Sequence, residues 1–156
     1  MAGIRADHEG AVKMSVDEAE IGKVLEKLYQ GFAERDAEGM REVYVEDADW
    51  TNAFGRTLKG RDAIVDYLKE LFADPNFAQG KLVKAPEVSI RPVGADTAAA
   101  KVYTEIAGQR TTDGGTLPVR RNHSLKLIGR QRDGSWKIIS EIYMDARDEV
   151  THIHSG

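Results

Sequence analysis

The sequence predicts an α+β domain in which three helices near the N-terminus pack against a conical, curved antiparallel sheet. Apolar residues recur at helical spacing in the first half of the chain and alternate with a period of two beyond Gly80. Turn residues separate the consecutive alternating segments, which favours antiparallel neighbours in a meander. Helices gathered on one side of a sheet form a layered α+β architecture, and long twisted strands curl into a cone with an open mouth.

The first helix is expected to begin at Ser15, because Ser15 and Glu18 have the spacing of a capping box. Six apolar residues then follow at the spacing of one helical face: Ile21, Val24, Leu25, Leu28, Tyr29 and Phe32. Asp36 is expected to cap a second, shorter helix. A third amphipathic helix is expected around Ile64, and the Asp74-Pro75 pair ends it.

Two short strands are expected between the second and third helices, over Asp49–Phe54 and Arg56–Lys59, with Gly55 permitting the turn between them. Alternation places Trp50, Asn52 and Phe54 on one face of the first strand. The four long strands of the meander are expected over Leu82–Val93, Thr97–Ala107, Pro118–Gly129 and Ser135–Met144.

Composition excludes several classes of protein. A length of 156 residues suits one domain, and a net charge of −4 argues against binding to nucleic acid. The absence of cysteine excludes disulfides, thiolate zinc sites and cysteine nucleophiles. No apolar run is long enough for a membrane span and no secretory leader is recognisable, so a cytoplasmic protein is expected. The expected organisation is a flexible N-terminal arm over 1–14, a single domain over 15–147 and a C-terminal tail over 148–156.

The pattern resembles a known superfamily. The segments that carry the likeness are Asp36-Ala37-Glu38-Gly39-Met40, residues 47–55, residues 60–64 and the closing Asp133-Gly134-Ser135-Trp136-Lys137-Ile138. They are similar to the nuclear transport factor two-like superfamily, which includes ketosteroid isomerase and the SnoaL-like polyketide cyclases, and most similar to its SgcJ/EcaC-type branch. Over roughly residues 17–145 the resemblance implies a conical, cystatin-like α+β fold, a mostly apolar pocket and a homodimer through the convex face of the sheet.

The isomerase's functional positions are replaced in this sequence. The resemblance puts Asn52 where the isomerase has its aspartate base, and Leu28, with Tyr29 one place off, where it has its oxyanion-hole tyrosine. It puts His123 at the second oxyanion donor. Because an amide does not accept a proton at neutral pH, isomerisation by that mechanism is not expected.

Two interpretations apply to the face that carries Trp50, Asn52 and Phe54. The face either packs in the core or forms the aromatic wall of a pocket in which Asn52 orients a ligand oxygen. His123 and Arg121 share a face of the third long strand with Leu125 and Leu127. On that face His123 is either a core residue or the proton-transfer group of the pocket, and Arg121 either anchors a ligand carboxylate or pairs with an internal acid.

The last strand has two alternative inner faces. The favoured interpretation turns Ser140, Ile142 and Met144 inward and leaves Glu141 outside. A single bulge would instead bring Tyr143 and Asp145 inward, toward His123. On the helices, Tyr29 and Tyr44 either pack in the core or donate hydrogen bonds at the lip of the cavity.

These observations predict a small-molecule-binding domain with a hydrophobic pocket. The leading hypothesis includes a cofactor-independent isomerase, cyclase or hydratase for a polycyclic or polyketide-like compound, with His123 and Asn52 as its catalytic residues. The expected substrate-binding residues are Trp50, Phe54, Leu28, Tyr29, Tyr44 and Arg121. No cofactor or metal site is assigned, and His152 and His154 are taken as part of the tail. The alternative is a non-catalytic dimerisation or ligand-carrier module of the same fold.

Overall fold

The computed structural model describes residues 15–151, and the predicted N-terminal arm, His152 and His154 lie outside that range. The helices are α1 (Ser15–Glu34), a 3-10 helix (Glu38–Val43), α2 (Arg61–Ala73) and the single-turn α3 (Pro75–Ala78). The strands are β1 (Tyr44–Thr51), β2 (Thr57–Lys59), β3 (Lys81–Leu82), β4 (Glu87–Pro92), β5 (Thr97–Ala107), β6 (Arg120–Arg130) and β7 (Trp136–Asp145). Residues 146–151 form neither helix nor strand. None of the helices in the described range combines the length and apolar character that a membrane crossing requires.

The α+β prediction is confirmed, but the sheet is mixed rather than wholly antiparallel. The seven strands follow the order β2-β1-β7-β6-β5-β3, and β4 also pairs with β5. The meander from β4 to β7 is antiparallel, whereas β1 pairs with β7 in parallel. Turn residues predict pairing only between strands that are consecutive in sequence. The partner of β1 is β7, which comes after the helices and at the end of the meander.

Three predicted elements differ locally. The predicted second helix is a 3-10 helix, although the Asp36 carboxylate does accept a hydrogen bond from the Gly39 amide at 3.0 Å. The first predicted strand begins earlier, at Tyr44, and ends at Thr51, so Asn52 and Phe54 lie in the turn and not on the strand. The predicted strand Leu82–Val93 is divided into β3 and β4, which pair with the same edge of β5 on either side of residues 83–86. Pro86 lies in that gap and has no amide hydrogen for a ladder.

The core lies between the helices and the concave face of the sheet. From α1 it takes Ile21, Leu25 and Leu28, and from α2 it takes Ile64, Val65 and Leu68. The alternate residues of β5 complete it, namely Ala98, Ala100 and Val102. Further along β5, Thr104 and Ile106 line a cavity.

Candidate functional site

A cavity of about 530 Å³ opens between the helices and the sheet. More than half of the chain's aromatic residues line it: Tyr29, Phe32, Trp50, Phe54, Tyr67, Phe77 and Tyr143. The helices supply one wall, and β1, β5, β6 and β7 supply the other. Its size and aromatic lining match those of small-molecule sites in proteins.

Trp50 lies at the centre of the aromatic wall. Its ring is 5.1 Å from that of Tyr67 and 5.4 Å from that of Tyr143, measured between centroids. The side chain is only 4% exposed, and its indole Nε1 has no acceptor among the described residues. Because the nitrogen itself is buried, Trp50 offers the cavity its ring and not its N–H.

Asn52 lines the cavity as expected, but its amide oxygen is engaged in the chain's own turn. Asn52 Oδ1 accepts hydrogen bonds from the backbone amides of Phe54 and Arg56, both at 2.9 Å. Its Nδ2 donates to the Tyr67 hydroxyl at 3.3 Å. The oxygen therefore holds the loop between β1 and β2, as asparagine commonly does in turns, and only the amide nitrogen keeps a hydrogen for a ligand.

The opposite wall carries a polar network centred on Arg120. The guanidinium donates two hydrogen bonds to the Asp145 carboxylate, each at 3.0 Å, and a third to Gln109 Oε1 at 2.6 Å. Asn122 Nδ2 also donates to Asp145, at 3.1 Å. Arg120, which alternation from His123 would leave in solvent, thus lies inside, and its guanidinium is 5.5 Å from the centroid of the Phe54 ring at the mouth.

The predicted placement of His123 and Arg121 is wrong. The buried face of β6 consists of Asn122, Ser124, Lys126 and Ile128, whereas Arg121, His123, Leu125 and Leu127 are exposed. His123 lies on the outer face, with its ring 4.9 Å from that of Tyr103. Leu125 and Leu127 made their face look internal, but a buried ion pair lets the lysine-bearing face pack inward instead.

The favoured orientation of the last strand is also wrong, because β7 contains a bulge. Leu127 pairs with Ser140 and Ile128 with Ile138, so Ile139 is an extra residue. Gly129 leaves space for it, since a Cβ there would lie 2.5 Å from Ile139 Cδ1. Beyond the bulge Glu141, Tyr143 and Asp145 face inward, while Ile142 and Met144 are 52% and 57% exposed. Asp145 meets Arg120 and not the expected His123.

A buried ion pair lies beneath the aromatic wall. Lys126 Nζ is 3.2 Å from Glu141 Oε2, and both side chains are fully buried. Lys126 donates to Ser124 Oγ at 2.8 Å and to the Tyr143 hydroxyl at 3.2 Å, while Glu141 accepts from the hydroxyls of Tyr44 and Tyr143. Tyr143 is the member that reaches the cavity.

The charges of this cluster follow from its contacts. Burial disfavours the ammonium, but the oxygens of Tyr143 and Tyr29 and the carboxylate of Glu141 outweigh it and raise the pKa of Lys126 above its ordinary value. Burial and the Glu141 carboxylate raise the pKa values of Tyr143 and Tyr44 well above the usual range. Both phenols are therefore neutral donors at neutral pH.

Two further predicted contacts lie in the core. Leu28 and Tyr44 are completely buried, and neither lines the cavity. Tyr29, one position along α1, does line it. The Tyr44 hydroxyl is committed to Glu141.

Arg35 is a cavity residue that sequence reasoning missed. It follows α1 with a φ of +57°, in the left-handed position where a helix usually ends on glycine. Its guanidinium donates to the carbonyls of Phe32 at 2.5 Å, Ala78 at 2.7 Å and Gly80 at 2.8 Å. These bonds attach the end of α1 to the segment between α3 and β3. No local sequence pattern predicts these hydrogen bonds, because Ala78 and Gly80 are distant from Arg35 in sequence.

The cavity offers donors rather than proton acceptors. Among the described residues none of the lining side chains is Asp, Glu or His, whereas Arg35, Lys81 and Arg120 are basic. Within residues 15–151 there is also no cluster of three side chains suited to a metal ion. The arrangement can hold and orient a flat, oxygen-bearing molecule, but the described lining provides no carboxylate or imidazole base.

Solved structures with the same fold exist. A protein with a cystatin-like fold from Caulobacter vibrioides is 23% identical and superposes with a TM-score of 0.73 over 83% of this chain and 89% of that one. A ketosteroid isomerase-like protein from Erwinia carotovora atroseptica is 16% identical, with a TM-score of 0.69 over 86% and 99% of the two chains. An NTF2-like protein from Novosphingobium aromaticivorans is 22% identical, with a TM-score of 0.64 over 87% and 86%. At these identities the likeness concerns the fold alone.

Comparison of the sequence itself gives one negative and one positive result. No curated protein matches the chain significantly. A family model for the SnoaL-like domain, by contrast, matches residues 14–140, which is most of the chain. The chain therefore belongs to the SnoaL-like domain family.

Proposed function

We propose that the protein is a small-molecule-binding domain whose cavity holds a polycyclic or polyketide-like compound. The observation that carries the proposal is the cavity of about 530 Å³ whose wall around Trp50 is built from aromatic rings. Protein interiors are close-packed, so a domain that needed only a core would fill a space of this size. The rings of a bound molecule can pack against this wall instead.

Ligand-carrier activity fits the lining best. Proton abstraction needs a base near neutral pKa, and the described lining side chains include no carboxylate or imidazole. The resemblance to the SgcJ/EcaC-type branch is part of the same proposal. It does not point to a particular reaction, because one fold can carry many chemistries.

A thermal-shift screen of steroids, aromatic polyketides and small lactones tests the proposal. A compound at one hundred times its dissociation constant adds about 2.7 kcal/mol to the stability of the native state. Ala33→Trp should abolish the shift, because Ala33 lines the cavity on an exposed turn of α1. Glu34→Trp introduces the same side chain at an exposed neighbour that does not line the cavity, and it should keep the shift. Equal shifts in the two variants would contradict the proposal.

A second candidate is a cofactor-independent isomerase, cyclase or hydratase. It is favoured by Tyr143, which lines the cavity and whose hydroxyl contacts the buried Lys126 and Glu141. In a reaction the phenol would turn its one hydrogen from Glu141 to a developing oxyanion, with the Lys126 ammonium beside it. This candidate predicts that Tyr143→Phe lowers kcat with little change in KM on any ligand that the wild type converts. Loss of binding without a specific loss of kcat would leave the carrier function.

A further inference from the structure

One end of the cavity carries two positive charges. The Arg35 guanidinium donates to the Gly80 carbonyl at 2.8 Å, and Lys81 is the next residue along the chain. Both side chains line the cavity. Within the described range neither has an acidic partner at ion-pair distance, whereas Arg120, which is bonded to Gln109 beside Gly80, is paired with Asp145. The charge of Arg120 is therefore offset, and the charges of Arg35 and Lys81 are not.

Arg35 is bonded but not neutralised. Its three acceptors are backbone carbonyls, which satisfy donors without supplying a counter-charge. A guanidinium has five N–H donors, so two of them keep no acceptor among the described residues. Partial burial among Phe72 and Phe77 lowers the pKa of Arg35, as expected for a cation without an anionic partner.

The charge of the cavity lining is opposite in sign to the net charge of the chain. The net charge of the protein is −4, yet the described lining side chains include basic residues and no acidic one. A cleft lined by one sign of charge, with low-dielectric aromatic walls, concentrates ligands of the opposite sign.

We propose that the cavity selects an aromatic or polycyclic carboxylic acid in its anionic form. The carboxylate lies at the end formed by Arg35 and Lys81, and the rings lie against the aromatic wall around Trp50. This inference rests on the proposed binding function and narrows it from flat oxygenated compounds to acids.

Isothermal titration with 2-naphthoate and 2-naphthamide tests the inference, because the two probes differ in charge but hardly in shape. The wild type should bind the naphthoate at least about tenfold more tightly, since charge-assisted hydrogen bonds are stronger than neutral ones. The preference should shrink as salt is added. Equal affinity for the two probes would overturn the selection of anions while leaving the binding function standing. Failure of both probes to bind would contradict the binding function itself.

Variants locate the carboxylate. Arg35→Gln and, separately, Lys81→Gln should reduce the naphthoate preference and leave naphthamide affinity within about twofold. Lys23→Gln is the matched control, because the Lys23 side chain is 70% exposed on α1, away from the cavity lining, and its loss changes the net charge equally. Arg35→Gln also removes the three carbonyl contacts, and if it does not fold, the exposed Lys81→Gln decides the matter alone. A full preference in every folded variant at these two positions would overturn the proposal.

Discussion

At the scale of single residues, Lys126 and Glu141 dominate the interior. They lie directly opposite each other across β6 and β7, beneath the aromatic wall. Each is tied to further oxygens, of Ser124 and Tyr143 for the lysine and of Tyr44 and Tyr143 for the glutamate. A buried pair with this many hydrogen bonds costs little while it is complete, and removal of one partner leaves a charge without compensation.

Lys126→Met is expected to lower the free energy of unfolding by about 3–5 kcal/mol, because it strands the Glu141 carboxylate in the core. The double variant Lys126→Met, Glu141→Gln should recover part of that loss, since no buried charge remains. Lys23→Met makes the same change at an exposed position of α1 and should stay within about 0.5 kcal/mol of wild type. Urea unfolding measures all three, and a Lys126→Met variant as stable as Lys23→Met would show that the pair contributes nothing.

Asn52 is expected to act mainly on the stability of the turn. Asn52→Leu should cost about 1–2 kcal/mol, because the amides of Phe54 and Arg56 lose their shared acceptor. Asn52→Asp keeps an oxygen at that position and should cost less. His123→Leu, on the exposed face of β6, should change neither stability nor ligand affinity appreciably. Denaturation curves that rank Asn52→Asp as the more damaging of the two changes would refute this account of the turn.

At the scale of elements, the bulge at Ile139 determines which alternate residues in the second half of β7 face the cavity. Deletion of Ile139 removes the extra residue, and Ser140 then follows Ile138 directly, so Glu141, Tyr143 and Asp145 should keep their inward positions opposite the same residues of β6. We expect that variant to unfold cooperatively and to keep the Lys126–Glu141 pair. Ile139→Ala keeps the extra residue and should remain folded with a loss of about 1–3 kcal/mol. Circular dichroism during urea unfolding follows both variants, and a deletion variant that unfolds without cooperativity would contradict the prediction.

Local patterns predicted the elements better than their pairings. The helical spacing in α1 and α2 and the alternation in β5 depend only on neighbours in the chain, and the structure has these elements near their expected bounds. The parallel pairing of β1 with β7 depends on the path of the whole chain. Alternation in β6 separated two faces correctly but did not identify the buried one, because the buried face carries a lysine.

Local patterns likewise predicted only some of the residues of the candidate site. Trp50, Asn52, Phe54 and Tyr29 were expected at a cavity on the strength of their own strand or helix, and they line it. Tyr67 and Arg35 reach it through tertiary contacts with Asn52 and with Ala78 and Gly80, which no local spacing encodes. Tyr143 reaches it only because of the bulge, which was the less favoured of two interpretations.

At the scale of the whole molecule, the outer face of the sheet is the remaining apolar surface. Leu125, Leu127, Ile142 and Met144 are exposed there on two adjacent strands, beside His123 and Tyr103. Contiguous apolar patches of this kind mark interfaces between proteins. Tyr143, expected on this face, instead points inward.

We expect the protein to form a homodimer through this outer face. Multi-angle light scattering at micromolar concentration should return the mass of two chains for wild type and of one chain for a variant carrying Leu127→Lys and Ile142→Lys. Both positions are exposed in the single chain, so the variant should keep its fold, and circular dichroism checks this. Gln30→Lys is the control, because it introduces lysine at an exposed position of α1, away from the outer face of the sheet, and it should keep the mass of two chains. The mass of a single chain for wild type would contradict the dimer.

The burial of Lys126 also makes this side chain a chemical reporter of opening. Amine-acylating reagents reach surface lysines in the native protein, but the Lys126 nitrogen sits beneath Tyr143 in the sealed interior. Its modification must await a fluctuation that separates β6 from β7, so its labelling rate follows the population of that open form. Mass spectrometry of partly acylated protein would therefore measure how often β6 and β7 separate beneath the cavity. A ligand that closes the cavity would lower the labelling rate of Lys126 relative to that of the other lysines.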